Sequence, residues 1–267
     1  MVACTSIETS WNFILKAKDS PSGIYLLPNL LTTASLFAAF YSMVASLKMQ
    51  YETAAIAIFI GMIADGLDGR IARLTNTQTD FGAQYDSLSD MVTFGVAPAL
   101  LLYSSSLQRL GKLGWLIAFL YTAAVALRLA RFNTQLEVAD KRYFQGLPCP
   151  PAAAMISSFI WLCFQHDGGH MLVAIFSGIF AALTALLMVS NVRYYSFKEV
   201  DFKGKVPFLY VLGVVVLFVA IAADPAVILF VGFIVYALSG PSKTLLALHR
   251  VRRQRKKSKL TSNHHGQ

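Results

Sequence analysis

Charged side chains are scarce in this chain. Of its 267 residues only 14% are Asp, Glu, Lys or Arg, while 56% are hydrophobic; a soluble domain carries about 25% charged residues. An ordinary water-soluble globule is excluded. Cysteine is nearly missing as well: Cys4, Cys149 and Cys163 are odd in number and lack metal-ligand spacing, so neither a disulfide framework nor a zinc site is indicated. No repeat, low-complexity linker or second composition regime divides the sequence. Its first twenty-odd residues, with Trp11, Phe13, Ile14 and Leu15 among polar neighbours, show no cleavage-like signature of a removable signal peptide.

What the chain does have is long apolar runs, each close to the roughly 20 residues that cross a bilayer as a helix. Eight are read, at 26–47, 51–74, 81–104, 113–133, 147–165, 171–190, 206–223 and 226–239. The expected fold is an all-α, polytopic membrane helix bundle of about eight transmembrane helices. Residues 1–25 read as an amphipathic segment on the membrane surface, broken from the first span by Pro21-Ser22-Gly23. Pro28 suits a first helical turn, where its missing N–H would lack a partner anyway. Residues 26–240 form the membrane domain, and 241–267 a basic cytoplasmic tail.

The net charge of +9 is unevenly placed: alternating flanks of the spans hold 20 lysines and arginines on one side and 3 on the other. By the positive-inside rule both termini face the cytoplasm, as do the junctions at 74–80, 134–146 and 191–205. The basic run Arg250–Lys259 reads as a juxtamembrane segment attracted to anionic lipid. Nucleic acid is not an expected partner, because no soluble domain is present to carry a base-reading element.

Against this apolar background, four of the ten aspartates fall within two adjacent spans: Asp65, Asp68, Asp86 and Asp90. The spacings are i,i+3 and i,i+4, so each pair shares one helix face. The short polar connector 74–80 makes the two spans antiparallel neighbours, and the four carboxylates then converge near the inner membrane boundary. Carboxylates at membrane depth are expensive, and unpaired they repel one another and take up protons. Arg70 and Arg73 offset only two of them. Two bridged divalent ions, Mg²⁺ or Mn²⁺ by oxygen-only ligation, satisfy the rest and suit phosphoryl transfer. Gly66, Gly69 and Gly82 are costly inside helices, by up to about 1 kcal/mol each. They allow either close approach of a phosphate or small-residue helix contact.

The pattern Asp65-x2-Asp68-Gly69-x2-Ala72-Arg73-x8-Gly82-x3-Asp86-x3-Asp90 resembles the signature of the CDP-alcohol phosphotransferases at every fixed position. The resemblance implies displacement of CMP from a CDP-activated substrate by an alcohol. It implies that Asp65, Asp68 and Asp86 hold one metal ion and Asp65, Asp86 and Asp90 a second, with Asp90 as general base. Gly69, Arg73 and Gly82 would contact the cytidine diphosphate.

Further stretches resemble one branch, the bacterial-type phosphatidylserine synthases: Leu27-Pro28-Asn29-Leu30-Leu31-Thr32, Arg128-Leu129-Ala130-Arg131-Phe132-Asn133, Phe144-Gln145-Gly146-Leu147-Pro148 and Ser190-x2-Arg193-x2-Ser196-Phe197-Lys198. The branch implies CDP-diacylglycerol and L-serine as substrates, the bacterial inner membrane as location and a homodimer. Asn29 and Thr32 would line the cytidine pocket. Serine carries a carboxylate, so its site needs a cation near the metals: Arg128, Arg131, Arg193 or Lys198, with Asn133 beside them. The same cations also read as anchors reaching to headgroups, and Asn133 as a helix C-cap. Within the family, phosphatidylglycerophosphate synthesis is the nearest alternative; outside it, a divalent cation transporter.

Overall fold

The computed structural model describes residues 26–75, 77–135, 143–165, 171–195 and 208–264. The expected amphipathic segment 1–25 lies outside them, as does Lys198. The described fold is almost entirely helical. Helix α1 (Leu26–Leu47) turns sharply through Lys48–Gln50 into α2 (Tyr51–Leu74), and α3 (Asp80–Asp90) follows the 74–80 connector. A π-helical turn (Met91–Val96) joins α3 to α4 (Ala97–Ser105); a 3₁₀ turn (Leu107–Leu110) precedes α5 (Lys112–Gln135). Strand β1 (Tyr143–Gln145), α6 (Cys149–Gln165), α7 (Met171–Val189), strand β2 (Arg193–Tyr195), α8 (Phe208–Ala223) and α9 (Pro225–His264) complete the order.

Five helical stretches are long and apolar enough to cross a membrane: Leu26–Leu47, Asp80–Ser105, Lys112–Thr134, Met171–Val189 and Pro225–Thr244. The chain is a multi-pass membrane protein. Two further apolar helices, Cys149–Gln165 and Val211–Ala223, are shorter, and α2 carries the charged motif. Their surfaces fit a lipid solvent: Phe37 is 71% exposed and Phe218 74%, with the backbone satisfied inside each helix.

The seam between α1 and α2 is built from small residues. On α1, Ser35, Ala38, Ala39, Ser42, Ala45 and Ser46 are buried, and they face Ala54, Ala55, Ala57, Ile58 and Gly61 of α2 in the most extensive helix pairing of the molecule. Small side chains let the two backbones approach closely. Ser42 Oγ donates across to the Ala54 carbonyl at 2.8 Å. A Cβ at Gly61 would stand 3.3 Å from the Ser35 carbonyl and 3.1 Å from Thr93 Cγ2. Helix α6, buried throughout Ala152–Ser158, occupies the middle of the bundle and packs on α2, α4 and α9. Helix α5 packs on α7 and the π-turn, and α8 packs on α9.

The structure refines the expected layout at four points. The span 81–104 is not one regular helix, because the ring of Pro98 cannot share a regular turn with the carbonyl four residues earlier. The spans 51–74 and 81–104 are neighbours as expected, but α2 meets the second through the π-turn and α4 more than through α3, and α1 lies against both α2 and α3. The stretch after 226 does not stop at 239 but continues as helix to His264, across Pro241. The expected loops 134–146 and 191–205 carry regular structure, since β1 and β2 pair antiparallel, Tyr143 with Tyr195, Phe144 with Tyr194 and Gln145 with Arg193.

Candidate functional site

Thr32 of α1 holds the two carboxylate-bearing helices in register. Its Oγ1 donates to Asp68 Oδ2 at 2.7 Å, and its carbonyl accepts from Ser89 Oγ of α3 at 3.2 Å. One turn away, the hydroxyls of Thr33 and Tyr85 meet at 2.9 Å. Helix α3 starts where it does because Thr79 caps it, its Oγ1 accepting from the Gly82 amide at 3.0 Å. These contacts fix the face that α3 turns towards α2.

That face carries the cluster. Carboxylate oxygens of Asp65, Asp68 and Asp86 all lie within 4.8 Å of one another. The Asp90 carboxyl lies against that of Asp65, and Asp90 Oδ1 is buried with no donor directed at it among the described residues. Asp68 is only 4% exposed. Four acidic groups gathered from two helices, one with an unsatisfied buried oxygen, form a hard oxygen donor set. It fits divalent cations of the Mg²⁺ or Mn²⁺ type.

Beside the cluster opens a cavity of about 290 Å³, bounded by α1, α2, the 74–80 connector and α3. Asn29, Thr32, Asp68, Gly69, Arg73, Gly82 and Asp86 all line it. The structure thus brings together around one space every residue that the resemblance associates with the nucleotide. Gly69 has nothing within 4 Å of where a Cβ would sit, and neither has Gly66; helix contact does not account for either glycine. Gly82 is different, since a Cβ there would press on Thr79 Oγ1 at 3.1 Å and Asn29 Oδ1 at 3.4 Å. Arg73 Nε donates to the Gly69 carbonyl at 2.8 Å, which lays the side chain along the cavity wall.

Thr77, Gln78 and Thr79 also line the cavity. Sequence reasoning treated them only as a short connector. Their hydroxyl and amide groups, adjoining the motif, are the signal that would have found them.

The cations of the branch motifs separate by environment. Arg131 is committed: its Nη2 donates to Gln145 Oε1 and, at 2.7 Å, to Asn191 Oδ1. It thereby ties α5 to the β-ribbon. Asn133 lies inside α5 rather than capping it, and its Nδ2 donates to Ser87 Oγ, next to Asp86, at 3.0 Å. Arg128 Nη1 donates to Cys149 Sγ at 3.1 Å while its Nε is buried without an acceptor among the described residues. Cys149 is itself within electrostatic range of Asp90 and Asp65. Arg193 lies on β2 opposite Gln145, and its side chain is outside the described set.

Comparison with known proteins places the chain in a family. The family model described as CDP-alcohol phosphatidyltransferase matches residues 25–192. A Helicobacter pylori protein named CDP-diacylglycerol–serine O-phosphatidyltransferase is 38% identical over 73% of this chain and 83% of its own length. A relative of the same name from Mycobacterium leprae is 30% identical, covering 80% of this chain and 72% of its own. One from Bacillus subtilis is 32% identical, covering 65% of this chain and 92% of its own.

Proposed function

Since this chain belongs to the CDP-alcohol phosphatidyltransferase family, we propose that it transfers the phosphatidyl group of CDP-diacylglycerol to the hydroxyl of L-serine, giving phosphatidylserine and CMP. The observation that carries the reading is the 290 Å³ cavity with Gly69, Arg73 and Gly82 on its walls and Asp68 and Asp86 at its edge. A nucleotide seated there has its diphosphate at the carboxylate cluster. The relatives' names supply the acceptor.

Asp65, Asp68, Asp86 and Asp90 would hold two divalent cations, which when bound neutralise the diphosphate and the charge on departing CMP. The protein's own groups do the rest. Arg73 offers its guanidinium to the diphosphate, and the open space over Gly69 admits a phosphate against the helix backbone. The acyl chains stay in lipid. Asp90 takes the proton from the serine hydroxyl; the new bond forms from that oxygen to the phosphorus bearing diacylglycerol, and the bond from this phosphorus to the oxygen of CMP breaks. Positioning and electrostatic preorganisation supply most of the rate.

Among the cations, Arg128 suits the serine carboxylate better than Arg131. Arg131 already spends its guanidinium on Gln145 and Asn191, whereas Arg128 keeps a buried Nε to offer. All eight apolar helices are inferred to cross the bilayer, with both termini and the aspartate cluster at the cytoplasmic face of the bacterial inner membrane.

The test is CMP release by purified protein in CDP-diacylglycerol vesicles containing Mn²⁺, comparing serine, glycerol 3-phosphate, inositol and choline. Serine alone should support turnover. Equal or faster release with glycerol 3-phosphate would overturn the acceptor assignment. EDTA should silence the reaction, and added Mg²⁺ or Mn²⁺ should restore it.

A further inference from the structure

Met91, the residue that follows Asp90, begins the π-turn, and the cause lies seven residues on, at Pro98. Pro98 has no N–H, so the Phe94 carbonyl loses the donor that a regular helix would provide, and the proline ring presses on the same carbonyl. The chain widens into a π-turn over Met91–Val96, in which the Ala97 amide reaches back to the Val92 carbonyl. The Phe94 carbonyl is buried, and a buried carbonyl without a donor is costly. It gets one from another helix: Tyr121 Oη of α5 donates to Phe94 O at 2.9 Å, and Tyr121 is wholly buried. Around this bond the turn is clamped. Thr93 meets Ser35 of α1 at 3.3 Å, and a Cβ at Gly95 would stand 3.3 Å from Val125 Cγ1 of α5.

We propose that Tyr121 is a positioning residue for the reaction, pinning the π-turn through the Phe94 carbonyl and so setting the angle at which Asp90 enters the carboxylate cluster. Turns of this kind are frequent at functional sites, because the extra residue re-aims the side chains beside it. The inference rests on the assignment of Asp90 to the site. It adds a residue on a different helix that touches neither substrate nor the four carboxylates.

The experiment compares Tyr121→Phe, which removes only the hydroxyl, in the native chain and in a Pro98→Ala background. Alanine in place of the proline restores an N–H for the Phe94 carbonyl, so the hydroxyl becomes dispensable there. Tyr121→Phe should lower kcat for CMP release at least tenfold, raise the Mn²⁺ concentration giving half-maximal rate, and leave KM for CDP-diacylglycerol within twofold. In the Pro98→Ala background the same change should cost threefold or less. Unchanged kcat in folded Tyr121→Phe, or an equal loss in both backgrounds, would overturn the proposal. Should Tyr121→Phe fail to fold alone, recovery of folded protein in the double variant supports the bond's role, and failure of both overturns it. Normal turnover by Asp90→Asn would instead remove the reading on which the inference rests, independently of Tyr121.

Discussion

Asp68 is held by Thr32 and Asp90 lies against Asp65, so substitutions at and around the cluster separate by environment. Asp90→Asn keeps shape and removes the base; CMP release should fall by about 10²–10⁴-fold while the protein still inserts and purifies. Thr32→Val deletes the hydroxyl that donates to Asp68 at 2.7 Å. A hydrogen bond to a charged group is worth about 1.5–3 kcal/mol, so the half-saturating Mn²⁺ concentration should rise about tenfold or more, measured by titration at saturating substrates. Arg128→Lys keeps the charge but loses the Nε donor, and a planar fork is not replaced by an ammonium. It should raise KM for serine about tenfold with KM for the lipid within twofold; an equal rise in both would place Arg128 on the diphosphate instead. The aspartates and glycines were legible in the sequence because spacing on a helix determines which face they share. Arg131's partners Gln145 and Asn191 were not, because contacts between residues far apart in sequence leave no periodic trace.

Helix α9 shows how elements are locked together away from the cluster. Its Gly240 lies directly over the ring of Tyr194, where a Cβ would come within 2.5 Å of Cε1. The Tyr194 hydroxyl donates to the Ala237 carbonyl at 3.0 Å, and burial pushes that phenol up to about 12, so it remains a donor at physiological pH. Gly240→Ala should therefore lower stability by about 1–3 kcal/mol, the ordinary cost of overpacking, read as a lower melting temperature in detergent. Most helix bounds could be read from hydropathy: 26–47 and 51–74 coincide with α1 and α2. The interruption at Met91–Val96 could not, since apolarity continues unbroken through Pro98 and span length alone does not show where a helix widens. Nor could the β-ribbon, because the pairing of Gln145 with Arg193 joins positions separated by two helices.

At the scale of the whole molecule, the family match ends at residue 192, so the cluster, the cavity and the Tyr121 clamp fall inside it while α8 and α9 follow it. Where helices approach most closely, small residues are inside and many bulky apolar ones face outward. Ala39, Ala54, Ala152, Ala153 and Ala181 are fully buried, whereas Phe37, Phe40, Leu183 and Leu186 are more than half exposed. Lipid tails are as apolar as leucine, so bulky outward residues gain little from turning inward, and helices associate by fitting backbones closely. Ala153→Leu should accordingly abolish folded protein in a detergent-melting assay, while Phe37→Ala should leave both melting and turnover nearly unchanged. At these close helix contacts the familiar rule that trimming a large apolar side chain does the damage is thus inverted: they accept a hydroxyl, as at Ser42 and Ser46, and refuse a butyl group.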